Sequence, residues 1–307
     1  MFGFVILSHK SPGQLLRLCE TLNRLHNAPP IACHHDFSQA ELDQKLFPPN
    51  VHFVDNWVTT GWGKWSLVEA TLRGLRQLYS VSDPDYFVLL SGADYPIATA
   101  SKIHADLEQS GADAFIDAFP VEESLAGNVP QGSPLLAHHR ARYNLELERN
   151  RYIRAQLKIH IIRFRPPQHS STLERYPRLG GTTVTLPFNS PSSPFDRTYR
   201  CYAGSQWFTG NRKVANKLLN PNEKDLKLQR YYRSRINSDE SYFQTVICND
   251  DSLSYQDKSF RYLIWRGAHP IDLGVEQFQD IIGSGLHFAR KFHPDDPVLD
   301  MINEQLK

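Results

Sequence analysis

The chain has 307 residues, 40% of them hydrophobic and 22% charged, enough for one large α/β domain or two modest ones whose core needs no disulfide or metal staple. Its 34 Lys plus Arg against 33 Asp plus Glu leave a formal charge of +1, which excludes a nucleic-acid binder that works by bulk electrostatics. Cys19, Cys33, Cys201 and Cys248 stand singly, without CxxC or metal-ligand spacing, and read as buried free thiols. No apolar run approaches the roughly 18 to 20 residues of a membrane span. The opening MFGFVILSHK is strand-like and carries no leader pattern, so the expected location is cytoplasmic.

Phe2 to Leu7 predicts a compact strand followed by Ser8, His9 and Lys10. Ser11 as a cap and Pro12 in the first turn predict a helix to about Leu25, with Leu15, Leu18, Cys19 and Leu22 at helical spacing. Pro30 to Cys33 predicts a second strand, with His34, His35 and Asp36 just past its end, and Val51 to Val54 a third. In GWGKWSLVEATLRGLRQLY, Trp62, Gly63 and Trp65 precede a helix whose apolar face carries Leu67, Val68, Leu72, Leu75 and Leu78. Tyr86 to Leu90 reads as a strand buried on both faces, stopping at Ser91 and Gly92 with Asp94, Tyr95 and Pro96 beyond. Open α/β sheets bind ligands outside the carboxyl ends of their strands. His9, Asp36, the Trp62 region and Asp94 would then share one rim, the mark of a doubly wound nucleotide-binding half, although an acid in the place of Asp94, read alone, is more often a turn former.

Farther on, Ser101 to Gln109 predicts a helix, Ala114 to Phe119 a strand and Val121 to Pro134 a loop. His138 to Arg165 is a basic, partly helical arm that includes Arg140, Arg142, Arg149 and Arg163. Interleaved Glu146 and Glu148 suit a solvated face, and the arm could instead hold an anionic acceptor. Prolines and serines between Arg165 and Arg200 predict a surface excursion within a single domain spanning 1–307, with 1–120 as the nucleotide-binding half and 121–307 as the acceptor and catalytic half.

In GSQWFTG, Trp207 and Phe208 could floor a sugar ring or be plain core. In NSDESYFQ, Ser238 can cap a helix whose first turn holds Asp239 and Glu240, a placement the helix dipole alone would explain. Tyr262 to Trp265 reads as a strand leading to Arg266, and Arg290 with Lys291 sits between Phe288 and Phe292. Cations fixed among aromatics suit a phosphate clamp, or else snorkel.

Taken in order, the SHK after the first strand, HHD after the second, GWGKWSLVEA, YFVLLSGADYPI, GSQWFTG, SDESYFQT and HFARKF resemble the core-2/I-branching β-1,6-N-acetylglucosaminyltransferase and peptide O-xylosyltransferase family, in a bacterial-type form. The resemblance implies a GT-A type α/β fold with a mixed, mostly parallel central sheet flanked by helices. It implies an inverting transfer from a UDP-sugar, of N-acetylglucosamine or else xylose, to a hydroxyl of a glycan, glycolipid or polysaccharide. No cofactor beyond the UDP-sugar co-substrate and no metal is implied. By the same resemblance Glu240 is the base that takes the acceptor proton. Arg266, Arg290 and Lys291 neutralise the departing diphosphate in place of a metal. Asp36 falls on the uridine side, His9 and Trp62 line the nucleotide pocket, and Asp94, Trp207 and Asp239 meet the donor or acceptor sugar. The acid pair Asp83 and Asp85 precedes the central strand, the wrong end for a metal bridging diphosphate and sugar. Animal members carry an anchor and disulfides that this sequence lacks, so a cytoplasmic enzyme is expected, with the basic arm available to the inner membrane surface. Two other readings stay open: a metal-dependent enzyme using Asp94 with Asp36, and a catalytically silent carbohydrate-binding protein.

Overall fold

The computed structural model describes residues 1–121, 194–235, 237–266 and 270–307, and the backbone alone at 155–164, 179–188 and 269. In chain order, β1 is Phe2–Ser8, α1 Pro12–His26, β2 Ile31–His35, β3 Val51–Phe53, α2 Trp65–Val81, β4 Tyr86–Ser91, β5 Asp94–Pro96 and α3 Ala100–Ser110. There follow β6 (Ala114–Phe115), β7 (Ala118–Pro120), β8 (Ala155–Phe164), β9 (Leu179–Phe188), β10 (Tyr202–Gly204) and β11 (Thr209–Asn211). Helices Arg212–Leu219, Glu223–Tyr232 and Tyr242–Cys248 precede β12 (Tyr255–Gln256), β13 (Arg261–Tyr262), β14 (Trp265–Arg266), β15 (His269–Pro270) and β16 (Phe288–Arg290).

The central sheet has seven strands in the order β12-β6-β11-β4-β1-β2-β3. β1 pairs parallel with both β2 and β4, and β2 pairs parallel with β3, while β11 runs antiparallel between β4 and β6. Being central, β1 is buried at every position, and its two faces serve different layers because side chains alternate along a strand. Phe4 and Ile6 pack with Leu15, Leu18 and Leu22 of α1, whereas Val5 and Leu7 pack with Trp65, Val68, Leu72 and Leu75 of α2. The fold class is therefore the expected one, a mixed and mostly parallel sheet with helices on both faces. Since the chain leaves β1 toward β2 on one side and returns to β4 on the other, the strand order reverses at the β1–β4 boundary. Their carboxyl ends open a crevice there.

A second sheet, β13-β16-β5, closes that crevice. Past the turn at Gly92 and Ala93, β5 pairs antiparallel with β16, which sets Arg290 opposite Asp94. Phe292 N–H to Ala93 O (3.2 Å) and Ile97 N–H to His287 O (2.9 Å) extend the seam.

Several local expectations need correction. Ser11 does not cap α1 through its side chain; it takes a left-handed backbone (φ 50°) and offers its carbonyl to Leu15 N–H, while Pro12 does open the helix. The strand expected over Ala114–Phe119 is two strands in different sheets, because Asp257 Oδ1 accepts Ala118 N–H and Asp117 Oδ1 accepts Ser259 N–H where ladder bonds would otherwise run. The strand expected over Tyr262–Trp265 is likewise split, with β13 paired to β16 and β14 to β15. Within the basic arm, 155–164 is a strand paired antiparallel with 179–188, so this part is not helical and the Pro/Ser-rich excursion contributes its partner strand. The remainder of the arm, the loop beyond Val121, and the arm's side chains lie outside the described residues. No helix of the described residues is long and apolar enough to cross a membrane.

Candidate active site

A cavity of about 600 Å³ opens at the carboxyl ends of β1 and β4. From β1 come Ser8, His9, Lys10 and Ser11; from the turn after β4, Ser91, Gly92 and Ala93; from the loop before α2, Thr60, Gly61 and Trp62. Gly204 to Trp207 form another wall, and Asp239, Glu240, Asp272, Arg290 and Lys291 supply charge.

The cations are set by the seam. Arg290 is 8% exposed, its Nε lies 3.4 Å from Asp94 Oδ1, and its guanidinium sits 4.3 Å from the centre of the Trp207 ring. Burial lowers its pKa, while Asp94 and Glu240 oppose that shift and favour the cation. Lys291, half-buried next in the chain, is lowered by burial and then by Arg290, with Asp272 opposing. Two neighbouring cations held partly out of water form a site that an incoming dianion would relieve.

The acids come from a 3-10 turn, Ser238–Glu240, and not from the first turn of a helix as expected. Ser238 caps nothing; Asn237 precedes the turn with a left-handed backbone, and the following α-helix starts only at Tyr242. Behind the turn, Ser241 Oγ donates to Tyr202 O (2.6 Å) and meets Tyr232 Oη at 2.5 Å, fixing the acids against β10.

Other expected site residues are placed differently. Asp36 is fully buried and does not line the cavity. Its Oδ1 accepts from Ser38 N–H (3.1 Å) and Oγ (2.6 Å); its Oδ2 accepts from Gln39 Nε2 (2.5 Å), Thr60 N–H (2.7 Å) and Thr60 Oγ1 (2.9 Å). Burial alone would raise its pKa, but these bonds outweigh it and hold the carboxylate well below the usual range. It is Gln39 and Thr60, held by Asp36, that reach the cavity. Asp94, also fully buried, accepts from Ser91 N–H (3.0 Å) and Oγ (2.6 Å) and faces Arg290 from beneath, so it too is absent from the wall. Two carboxylates engaged in this way do not fit a metal site. Arg266 is exposed on the β14–β15 hairpin and outside the lining, which its neighbour Trp265 joins. Asp83 and Asp85 pair with Arg212 at the amino end of β4, away from the cavity.

His9, Trp62, Trp207, Asp239, Glu240, Arg290 and Lys291 are thus brought together, and Asp36, Asp94 and Arg266 are not wall residues. Trp62 is 63% exposed at the mouth. Burial lowers the His9 pKa, helped by Lys10.

Several wall residues have no role assigned from the sequence, among them Gln39, Thr60, Asp272 and His34. Fully buried His34 accepts Val58 N–H at Nε2 (3.0 Å), so its proton sits on Nδ1, which finds no partner among the described residues. Burial pushes its pKa down to about 4, so the ring is a neutral donor. Strand alternation could have found it. His34 shares the face of Ala32 toward α2, whereas His35 turns the other way to Ser8 Oγ (3.1 Å).

Comparison with known proteins bears on this arrangement. Three curated β-glucuronosyltransferases of Arabidopsis thaliana match in part: GlcAT14B (37% identical over 81 residues, 25% of this chain and 19% of its own), GlcAT14C (39% over 82 residues, 25% and 21%) and GlcAT14A (27% over 114 residues, 35% and 26%). The chain therefore spans about a fifth to a quarter of the length of these relatives. A solved structure, HddC from Yersinia pseudotuberculosis complexed with GMP-PN, matches over 73% of this chain and 81% of its own at 11% identity and a TM-score of 0.29, too distant a likeness to bear on the site. The profile of the Core-2/I-branching enzymes matches residues 2–127 and 151–281, most of the chain. With a match of that extent, the chain belongs to the Core-2/I-branching enzyme family.

Proposed function

We propose that this protein is an inverting glycosyltransferase that moves a sugar from a UDP-sugar to a hydroxyl of a glycan, glycolipid or polysaccharide without a divalent metal. The observation that carries the reading is the meeting of Glu240 with the Arg290–Lys291 pair in one cavity at the strand-order reversal. The diphosphate lies against Arg290 and Lys291, whose charges offset the negative charge that grows on it as the glycosidic bond breaks. Glu240 takes the acceptor proton while that oxygen attacks the anomeric carbon from the opposite face. The Nδ1–H of His34 is a donor available to the nucleoside, whereas Thr60 and Gln39, whose donors Asp36 engages, offer their side-chain oxygens as acceptors. Asp94 keeps Arg290 in place from below, with Trp207 on its flat face. Arg266 has no part in this clamp.

For the donor, the family resemblance supports N-acetylglucosamine or xylose, and the relatives named as β-glucuronosyltransferases support glucuronic acid. A third cavity cation, Lys10, favours the latter, since a uronic acid carries a carboxylate that the diphosphate clamp does not neutralise. The enzyme works on the cytoplasmic side, where its acceptor is a glycolipid or polysaccharide intermediate. A thermal-shift screen of UDP, UDP-N-acetylglucosamine, UDP-xylose, UDP-glucuronic acid and GDP-mannose in chelator tests the reading. Stabilisation by the uridine nucleotides and none by GDP-mannose is expected; no shift with any uridine nucleotide contradicts it, and it would leave the silent carbohydrate-binding reading standing.

A further inference from the structure

Asn237 has no place in the reaction just described, yet it joins the proposed base to the opposite wall. It is fully buried, with a left-handed backbone at φ 57° and ψ 36°. Its Nδ2 donates to Glu240 Oε2 at 2.7 Å, and its carbonyl accepts Glu240 N–H at 3.1 Å. Toward the other side, its own N–H donates to Gly63 O at 2.5 Å. Gly63 belongs to the loop whose Gly61 and Trp62 line the cavity, and it too is left-handed (φ +68°). A Cβ on Gly63 would stand 2.8 Å from Asn237 Oδ1, so the two residues touch with no room for a side chain between them.

We propose that Asn237 is a positioning residue: its amide holds the Glu240 carboxylate in one orientation, and its backbone ties that carboxylate to the Trp62 loop. The inference rests on the assignment of Glu240 as base. The residue type answers three demands at once. Few side chains tolerate the left-handed region, and Asn is among them. Asp, equally tolerant, would set a carboxylate against a carboxylate. Gly, most tolerant of all, would remove this donor. A neutral amide lends no net charge, so what it supplies to Glu240 is direction: it fixes Oε2, and with it the edge that the carboxylate presents to the acceptor hydroxyl.

The test uses Asn237→Gly, which retains the left-handed backbone and the N–H to Gly63 while deleting the amide. UDP release is measured with UDP-N-acetylglucosamine, UDP-xylose and UDP-glucuronic acid, each with octyl β-galactoside and octyl β-glucoside as acceptors, in wild type, Asn237→Gly, Glu240→Gln and the double variant. A fall in kcat of about tenfold or more is expected for Asn237→Gly, the worth of a hydrogen bond to a charged group, with donor KM and UDP affinity within about twofold of wild type. In the Glu240→Gln background the same change should cost nothing further, because the group it orients is gone. Equal losses in both backgrounds, or a raised donor KM with kcat intact, would overturn this inference while leaving the base assignment standing. Wild-type turnover by Glu240→Gln would remove the base assignment and this inference together. Gly63→Ala is a second probe, pressing on Asn237 Oδ1 from the loop. It should lower kcat in the wild-type background and have less effect beside Asn237→Gly, and an unchanged kcat would overturn the tie to the loop. Melting temperatures of all variants separate these effects from loss of fold.

Discussion

Asp36→Asn discriminates between two roles for one carboxylate, direct contact with the nucleoside and support of the residues that make that contact. The aspartate is fully buried and accepts five hydrogen bonds, two on one oxygen and three on the other. Asparagine keeps a single acceptor oxygen, and its NH2 must face the donors on the other side. Ser38 Oγ and Thr60 Oγ1 can rotate to accept, but a backbone N–H cannot, so either Ser38 N–H or Thr60 N–H is stranded. A stranded buried donor costs about 2 kcal/mol, and the loss of charge from the surviving bonds about 1 kcal/mol more. With an unfolding entropy of about 2 cal/mol/K per residue over 307 residues, about 3 kcal/mol lowers the melting temperature by about 5 °C. UDP affinity should fall with it, because Gln39 and Thr60 are the residues the carboxylate holds in the wall. Scanning calorimetry gives the first quantity and isothermal titration with UDP the second. A variant that melts like wild type but binds UDP weakly would refute this reasoning and return Asp36 to direct contact. One that melts early but binds UDP normally would show that Gln39 and Thr60 do not form the nucleotide wall.

Glu240→Gln should lower turnover by roughly 10²- to 10⁴-fold, the usual worth of a positioned base, with UDP affinity within about twofold by calorimetry; comparable turnover ends the assignment. Lys291→Ala should weaken UDP binding and lower turnover together, because the clamp acts on ground and transition states, whereas Arg266→Ala, exposed and off the wall, should match wild type in both. Stability should decline as pH falls from about 6.5 to 4. Burial pushes both His34 and His287 down to about 4, so the unfolded chain takes up their protons first and unfolding gains on acidification. Each contributes on the order of 2–3 kcal/mol across that window, read as a drop in urea midpoint, and a midpoint flat from pH 7 to 4.5 would contradict it.

How far the site could be read from the sequence depended on the range of the interaction that settles each residue. Strands and helices of the first half declare themselves through apolar runs and helical spacing; β1, α1, β2 and β4 lie within two residues of their expected bounds, and α2 carries the expected apolar face but starts at Trp65 itself. Pairing partners 100 residues and more apart are not written locally. The seam that sets Arg290 opposite Asp94 joins positions 290 and 94, and nothing near either residue announces it. Hence Asp94 reads from sequence as a rim ligand and in the fold as a support beneath Arg290. Arg266 reads as a clamp residue because it follows a strand-like run, but that run divides between two sheets and the hairpin carries its side chain outward. Asp36 reads as a ligand because it falls on the family's uridine-side position, while the Ser38 and Thr60 bonds that consume its oxygens come partly from 24 positions away. Asn237 opens the NSDESYFQ stretch without any role readable there; its backbone conformation, its bond to Glu240 and its contact with Gly63 give it meaning.

The central claim is that Arg290 and Lys291 hold the diphosphate where other enzymes of this architecture use a divalent ion. A calorimetric titration of UDP into protein stripped with chelator tests it most directly. Saturable binding that Mg²⁺ or Mn²⁺ leaves unchanged is the result the account predicts, and binding that appears only after either ion is added would contradict it.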